Sequence, residues 1–483
     1  MDAKTFAAET MLSLPYNPND QQVQVIAALA SFCLRPPGQY DTVFILNGYA
    51  GTGKTSIMGA LVRNLASNGI RTVLLAPTGR AAKVLAANAG SRQTFTIHRR
   101  IYAHTAAPDG TYSAPLRENP YSHTVFIVDE ASMIGAGDEN GRNLIEDLVQ
   151  FVYSGVNCRM ILLGDTAQLP PVGAAVSPAM NPDTFRSLGI RVTRATLTET
   201  ARQAAGSGIL YNATALRRAM RRDDALVPHL TLAPFTDIRA VSSEDLPAIL
   251  ESAYADDPDD TILITRSNRR AAEYNNAIRT SILYREEEIS RGDALIVGKN
   301  HYFNGDRPAG TDFLANGDIL TVERVIGTET RYGGLRFADI TVRLSRSGTD
   351  PGDSGDEVPV VFDTKIILDC LASTEAGLPR TAYEKLWYGA MTDPEFVGEG
   401  ASDAARQRSL RSNPYWNALQ VKFAYAVTCH KAQGGQWKNV FIDLGYIPDE
   451  ALGVEFYRWL YTAITRARTS LWLISPPEAL LRQ

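Results

Sequence analysis

The segment Gly48-Tyr49-Ala50-Gly51-Thr52-Gly53-Lys54-Thr55 follows the pattern GxxxxGK[ST]. Glycines let backbone amides curl around phosphate oxygens, and the N-terminus of a following helix adds partial positive charge. In such a loop Gly48, Gly51, Thr52, Gly53 and Ser56 would form the cradle. Lys54 would reach the terminal phosphates and Thr55 would hold Mg²⁺. An apolar run at 43–46 precedes the loop and a helix-compatible stretch at 56–62 follows it. That is the strand–loop–helix setting the chemistry needs, and it predicts binding of a nucleoside triphosphate.

Other residues could complete the chemistry. Asp129 and Glu130 end the apolar run 125–128. Asp129 would hold Mg²⁺ and Glu130 would polarise the attacking water. Asp-Glu-Ala-Ser also suits a helix start, but downstream of a phosphate loop the catalytic reading is favoured. Gln168 follows the run 161–163 in a polar turn. Its amide could bond phosphate or water without adding charge, although a lone loop glutamine also suits solvent. Arg466, in Thr465-Arg466-Ala467-Arg468, and Arg202, in Ala201-Arg202-Gln203, could each stabilise charge on a transferring phosphoryl group. A surface salt bridge is the alternative for either.

Several elements must position these groups. Strands are expected at 43–46, 72–75, 125–128 and 160–163, alternating with helical stretches. That alternation implies a parallel sheet covered on both faces. The pattern breaks at 102–116, where Asp109-Gly110 marks a hairpin turn or an irregular loop. A further buried strand is expected at 261–265. Runs at 294–297, 319–325, 340–344 and 358–362, separated by Asn-Gly, Gly-Gly and Ser-Gly turns, predict a small antiparallel barrel inserted into a second α/β domain. Residues 377–414 give no clear pattern, and α/β texture returns at 417.

Composition narrows the class. A chain of 483 residues exceeds one ordinary core, so two to four domains are expected. No apolar run is long enough to cross a bilayer, and the N-terminal residues lack the pattern of a secretory signal. The four cysteines, Cys33, Cys158, Cys370 and Cys429, are far apart, which disfavours zinc and suits a reducing cytoplasm. Net charge is −5, so any nucleic-acid contact should be confined to a groove. The acidic run 350–357 should lie away from it as a solvated loop.

Taken in order, these segments resemble the superfamily 1 DNA helicases of the branch that includes RecD and the phage helicase Dda. The resemblance rests on the phosphate loop, Ala76-Pro77-Thr78-Gly79-Arg80-Ala81-Ala82, Thr96-Ile97-His98, Asp129-Glu130-Ala131-Ser132, Gly164-Asp165 through Gln168-Leu169-Pro170, Arg202-Gln203, Thr428-Cys429-His430-Lys431-Ala432-Gln433-Gly434 and Tyr461 through Arg468. It covers nearly the whole chain and is weakest over the β-rich insertion and 377–414. The resemblance implies an α/β fold of two RecA-like motor domains, with ATP and Mg²⁺ between them. The first would span 1–196, with a hairpin or pin insertion at 99–123. The second would span 197–290 and 415–483, with a Src-homology-3-like barrel at 291–414. It assigns Gln168 to sensing the terminal phosphate, Arg202 and Arg466 to completing the site, and Gln22 to reading adenine, with Gln21 a near alternative. Pro77, Thr78, His98, Thr428 and His430 would contact single-stranded DNA, and the pin would meet duplex junctions through Tyr102 or Tyr112. The implied activity is ATP-driven unwinding with 5′-to-3′ translocation. An RNA translocase, a protein-displacing translocase or a nucleotide-switched binding subunit are the alternatives.

Overall fold

Six parallel strands form the first lobe of the structure, a computed structural model. Across the sheet they run Thr94–Thr96, Arg71–Ala76, Thr124–Val128, Arg159–Gly164, Thr42–Gly48 and Arg191–Leu197. All residues are described except 1, 37, 39, 91–93, 103–104, 107–111, 114, 138–141, 200–205, 221–226, 300, 304–312, 315, 345–359, 372, 376, 399, 449–451 and 482–483. The central strands are apolar on both faces, as a doubly covered parallel sheet requires. Alternation along the chain sorts them. Phe44 and Leu46 pack beneath helices Asp20–Leu34 and Lys54–Ser67, whereas Val43 and Ile45 face helix Leu144–Ser154. The four strands expected from the first part are all present, each extended by one or two residues at its ends. Strand Arg191–Leu197 was not expected; its polar, partly exposed residues suit the sheet edge where it lies.

Five parallel strands form the second lobe, in the order Ala426–Thr428, Thr261–Thr265, Trp437–Asp443, Ala467–Ile474 and Ile238–Val241. Between its strands sits an antiparallel sheet of Val361–Ile367, Leu335–Leu344, Ile319–Arg331, Ala294–Val297 and Val421–Phe423. Leu419 bridges back to Ile366, so one short segment touches both edges of this sheet. The core of the insertion, with Leu295, Val322 and Ile340, is continuous with Leu263, Phe441 and Tyr254 of the second lobe.

Some expectations shift. The strand expected at 358–362 is observed at Val361–Ile367, and 358–359 lie outside the described residues. The unpatterned stretch 377–414 carries helices Arg380–Thr392 and Asp403–Ser409. Leu386 of the first packs on Leu335, Phe337 and Tyr415. At 102–116, Tyr102 bridges Leu116, and Thr105–Ala106 pairs antiparallel with Tyr112–Ser113. The Asp109-Gly110 turn and the acidic run 350–357 lie outside the described residues.

Candidate nucleotide site and lobe interface

Strand Thr42–Gly48 delivers the chain into the phosphate loop. Gly51 and Gly53 take φ of 72° and 81°, in the left-handed region that favours glycine. A β-carbon at Gly53 would lie 2.5 Å from the Tyr16 hydroxyl oxygen, and one at Gly48 would lie 2.5 Å from Lys54 Cγ. Thr52 closes the loop through Oγ1, which donates to the Tyr49 carbonyl at 2.7 Å. Helix Lys54–Ser67, with Thr55 and Ser56 in its first turn, begins at Gly53 with no side-chain cap. Its first amides are thereby left to an anion, so the residues present fit a triphosphate. Lys54 Nζ donates to the Gly48 carbonyl, folded over its own loop.

Gln22 lies beneath this loop and is 1% exposed. Its Nε2 donates to the Thr52 carbonyl at 3.0 Å, and its Oε1 accepts the Asn19 N–H at 3.1 Å. Asn19 Oδ1 returns a bond to the Gln22 N–H at 2.8 Å, closing a capping box. Gln21 is tied elsewhere, its Oε1 accepting the Thr198 N–H at 2.6 Å. Gln22, not Gln21, therefore touches the loop.

Strand Thr124–Val128 is buried throughout and ends at Asp129, whose N–H donates to the Leu75 carbonyl at 2.9 Å. Asp129 Oδ1 accepts the Glu130 N–H at 2.8 Å, and Glu130 has φ of 51°, a strained value for a non-glycine residue. Burial holds the Asp129 carboxyl above its ordinary range, opposed by that amide bond and by Lys54. Burial also raises Glu130, reinforced by the Asp129 charge and opposed by Arg466 and Lys54. Two half-buried carboxyls beside the loop lysine form a donor set suited to a hard divalent cation.

Gln168 does not face solvent. It is 6% exposed, and its Oε1 has no hydrogen-bond partner among the described residues. The next residue is gripped by the other lobe: Leu169 N–H donates to Thr462 Oγ1 and Leu169 O accepts from Gln433 Nε2, both at 2.8 Å. Arg466 is 4% exposed, so it is not in a surface salt bridge. It donates to the Thr462 carbonyl at 3.0 Å, the Gly435 carbonyl at 3.2 Å and Thr465 Oγ1 at 3.1 Å. Its charge acts on Glu130 across the interface. Arg202 lies outside the described residues.

The residues expected on a nucleic-acid track occupy strand ends. Thr78 caps helix Gly79–Ala89 by accepting the Ala81 N–H at 3.2 Å, with half-buried Pro77 before it. His98 lies in helix Ile97–Ile101. In the second lobe Thr428 ends its strand, and exposed His430 follows in Cys429–Ala432. A β-carbon at Gly434 would come 3.4 Å from Thr78 Oγ1, so the two lobes meet here. Tyr102 is a correction: it is 3% exposed and its hydroxyl donates to Asp147 Oδ2 at 2.6 Å, which removes it from any base-stacking role.

Three interface residues were missed. Arg80 is buried with its guanidinium carbon 3.8 Å from the Trp437 ring centroid. Burial pulls it down to about 9, leaving it charged at neutral pH. Arg217 stands over the Tyr49 ring at 4.3 Å. Tyr461 bonds the phosphate loop itself. Arg80 and Tyr461 lie within motifs legible in the sequence, but their partners are remote; no sequence signal marked Arg217.

Two family models match the chain, an AAA domain over residues 18–255 and a UvrD-like helicase C-terminal domain over 423–474. The chain is 35% identical over 172 residues to the ATP-dependent RecD2 DNA helicase of Deinococcus radiodurans, covering 36% of this chain and 21% of that protein. It is 32% identical over 154 residues to the RecBCD enzyme subunit RecD of Mycobacterium tuberculosis, covering 27% and 25% respectively. These matches thus span about a fifth to a quarter of the RecD relatives' own length. Similarity to the ATP-dependent DNA helicase dda of Enterobacteria phage T4 is lower, 24% over 457 residues, but covers 89% of this chain and 93% of that one. A solved structure of Pif1 helicase from Bacteroides superposes with a TM-score of 0.45 at 15% identity, covering 97% and 95% of the two chains. By its two matched domain families and its RecD and Dda relatives, the chain is similar to the superfamily 1 helicases of the RecD/Dda-like branch.

Proposed function

We propose that this chain is an ATP-driven motor that moves along single-stranded DNA, 5′ to 3′, and unwinds duplex DNA. The carrying observation is convergence. The phosphate loop, the Asp129-Glu130 pair and buried Gln168 line the first lobe's face of an interface whose other face presents Arg466. Thr78 and Gly434 meet on that same interface, so the nucleotide site and the expected track share the contact between lobes.

Each residue has a task in this reading. Lys54 and the loop amides bind the terminal phosphates, and Gln22, buried with both ends of its amide engaged, fixes the loop beneath the nucleotide and would read adenine only on exchanging one of those bonds. Thr55 and Asp129 hold Mg²⁺, which when bound neutralises phosphate charge. Glu130 accepts the proton of the attacking water, and its raised pKa suits a general base. Gln168 supplies its buried oxygen to that water or its amide to the terminal phosphate. Arg466 and Arg202 complete the charge stabilisation from the second lobe. Pro77, Thr78, His98, Thr428 and His430 grip the strand without reading sequence. The inserted sheet, whose edges meet through Leu419, is the Src-homology-3-like barrel, and the 105–113 hairpin is the pin at duplex junctions.

The deciding experiment measures ATP turnover with and without single-stranded DNA, then unwinding of 5′- and 3′-tailed DNA and RNA duplexes. DNA-stimulated turnover with unwinding of the 5′-tailed DNA alone is expected. Turnover without any unwinding would overturn the helicase reading, and equal action on RNA would overturn the substrate.

A further inference from the structure

Tyr461 projects from second-lobe helix Val454–Ile464 into the first lobe and is 1% exposed. Its hydroxyl oxygen accepts the Ala50 N–H of the phosphate loop at 2.9 Å and donates to Asp165 Oδ2 at 2.7 Å. Asp165 is itself 1% exposed and begins the turn that carries Gln168, its Oδ1 accepting the Ala167 N–H at 3.0 Å. One phenol therefore joins the phosphate loop, the Gln168 turn and the helix that leads into Arg466. Thr462 and Gln433 grip the far side of that turn through Leu169. Gln168 thus sits between two cross-lobe anchors, with its own oxygen unpartnered among the described residues.

We propose that Tyr461 is a positioning residue that locks the phosphate loop and the Gln168 turn to the Arg466 helix, so that the groups of both lobes reach ATP as one unit. This rests on the reading of the site as an ATPase. A phenol is suited to the task because it accepts from a backbone amide and donates to a buried carboxylate at once; phenylalanine can do neither. Burial raises the hydroxyl well above its ordinary range, with the Asp165 charge adding to the effect, so it stays a donor at working pH. Lobe separation would break both bonds at once and pass Asp165 and the Ala50 amide to water, so the contact is made or lost as a unit.

The test is Tyr461→Phe, which keeps the ring and its packing. Hydrogen exchange of the nucleotide-free protein should show faster exchange at residues 49–51 and 165–169, with the second sheet unchanged. DNA-stimulated kcat should fall about 100-fold, the scale of a small misplacement of catalytic groups, while affinity for a fluorescent ATP analogue stays within about threefold. In an Arg466→Ala background the same change should cost little more, because residues acting as one unit are non-additive. Unchanged exchange at both segments overturns the proposal. So does full kcat, or a loss that is purely in nucleotide affinity, or full additivity with Arg466→Ala. If the wild-type protein itself shows no turnover, the ATPase reading fails, and the exchange measurement still decides whether Tyr461 ties the segments together.

Discussion

Replacing Gln168 with leucine should stabilise the nucleotide-free protein while disabling it. Gln168 is 6% exposed, and its Oε1 has no partner among the described residues. Its neighbours Ala167 and Leu169 are buried in an apolar cluster with Ala432, Val427 and Trp437. A buried carbonyl oxygen left without a donor costs about 1–3 kcal/mol, and leucine has a similar volume with no polar atom to desolvate. At roughly 2–4 °C per kcal/mol for a lobe of this size, Gln168→Leu should raise the melting temperature by about 2–12 °C. Loss of one hydrogen bond to the reacting groups should lower kcat by about 10- to 100-fold. The assay is differential scanning calorimetry with and without a non-hydrolysable ATP analogue, beside steady-state ATPase on single-stranded DNA. Wild type should gain more from the analogue than the variant does, since only wild type has the oxygen and amide to satisfy. A variant that melts below wild type would show that Gln168 is an ordinary structural residue. One that turns over normally would remove it from the reaction.

Other expectations follow from the same geometry. Glu130→Gln should keep ATP-analogue binding and lose turnover. It should also melt above wild type at neutral pH, because a carboxyl raised by burial is strained when charged. That gap should narrow as pH falls and close below about 4, once the carboxyl is protonated in the unfolded state as well as the folded one; an equal loss of nucleotide binding would make Glu130 structural. Arg466→Ala should cut kcat by about 10³- to 10⁵-fold with nucleotide affinity largely kept, and near-normal turnover would leave Arg466 a packing residue tied to Thr462 and Gly435. Replacing 103–114 with a short Gly-Ser linker should preserve DNA-stimulated ATPase and abolish unwinding, whereas normal unwinding per ATP would show that another element splits the strands.

What the sequence determined by itself is the chemistry carried in short windows. A glycine-rich turn between an apolar strand and a helix has few conformations open to it, so the turn at Gly51 and Gly53 and the helix start at Lys54 and Thr55 were legible as a candidate phosphate cradle. The strand ending at Asp129, the buried strand Thr261–Thr265 and the alternation of strand and helix were legible for the same reason: burial on both faces writes a continuous apolar run. Helices Arg380–Thr392 and Asp403–Ser409 were not, because Leu386 finds its core only on the distant hairpin residues Leu335 and Phe337. Tyr102 read as an aromatic free to stack, and Asp147 took it inward. Whether Gln168 and Arg466 met solvent or each other's lobe was open in the sequence and was decided by packing. The bonds from Tyr461 to Ala50 and Asp165 span 411 and 296 residues of chain. No local pattern encodes such a distance; it exists only once helix Val454–Ile464 of the second lobe packs against the loops that follow the strands of the first.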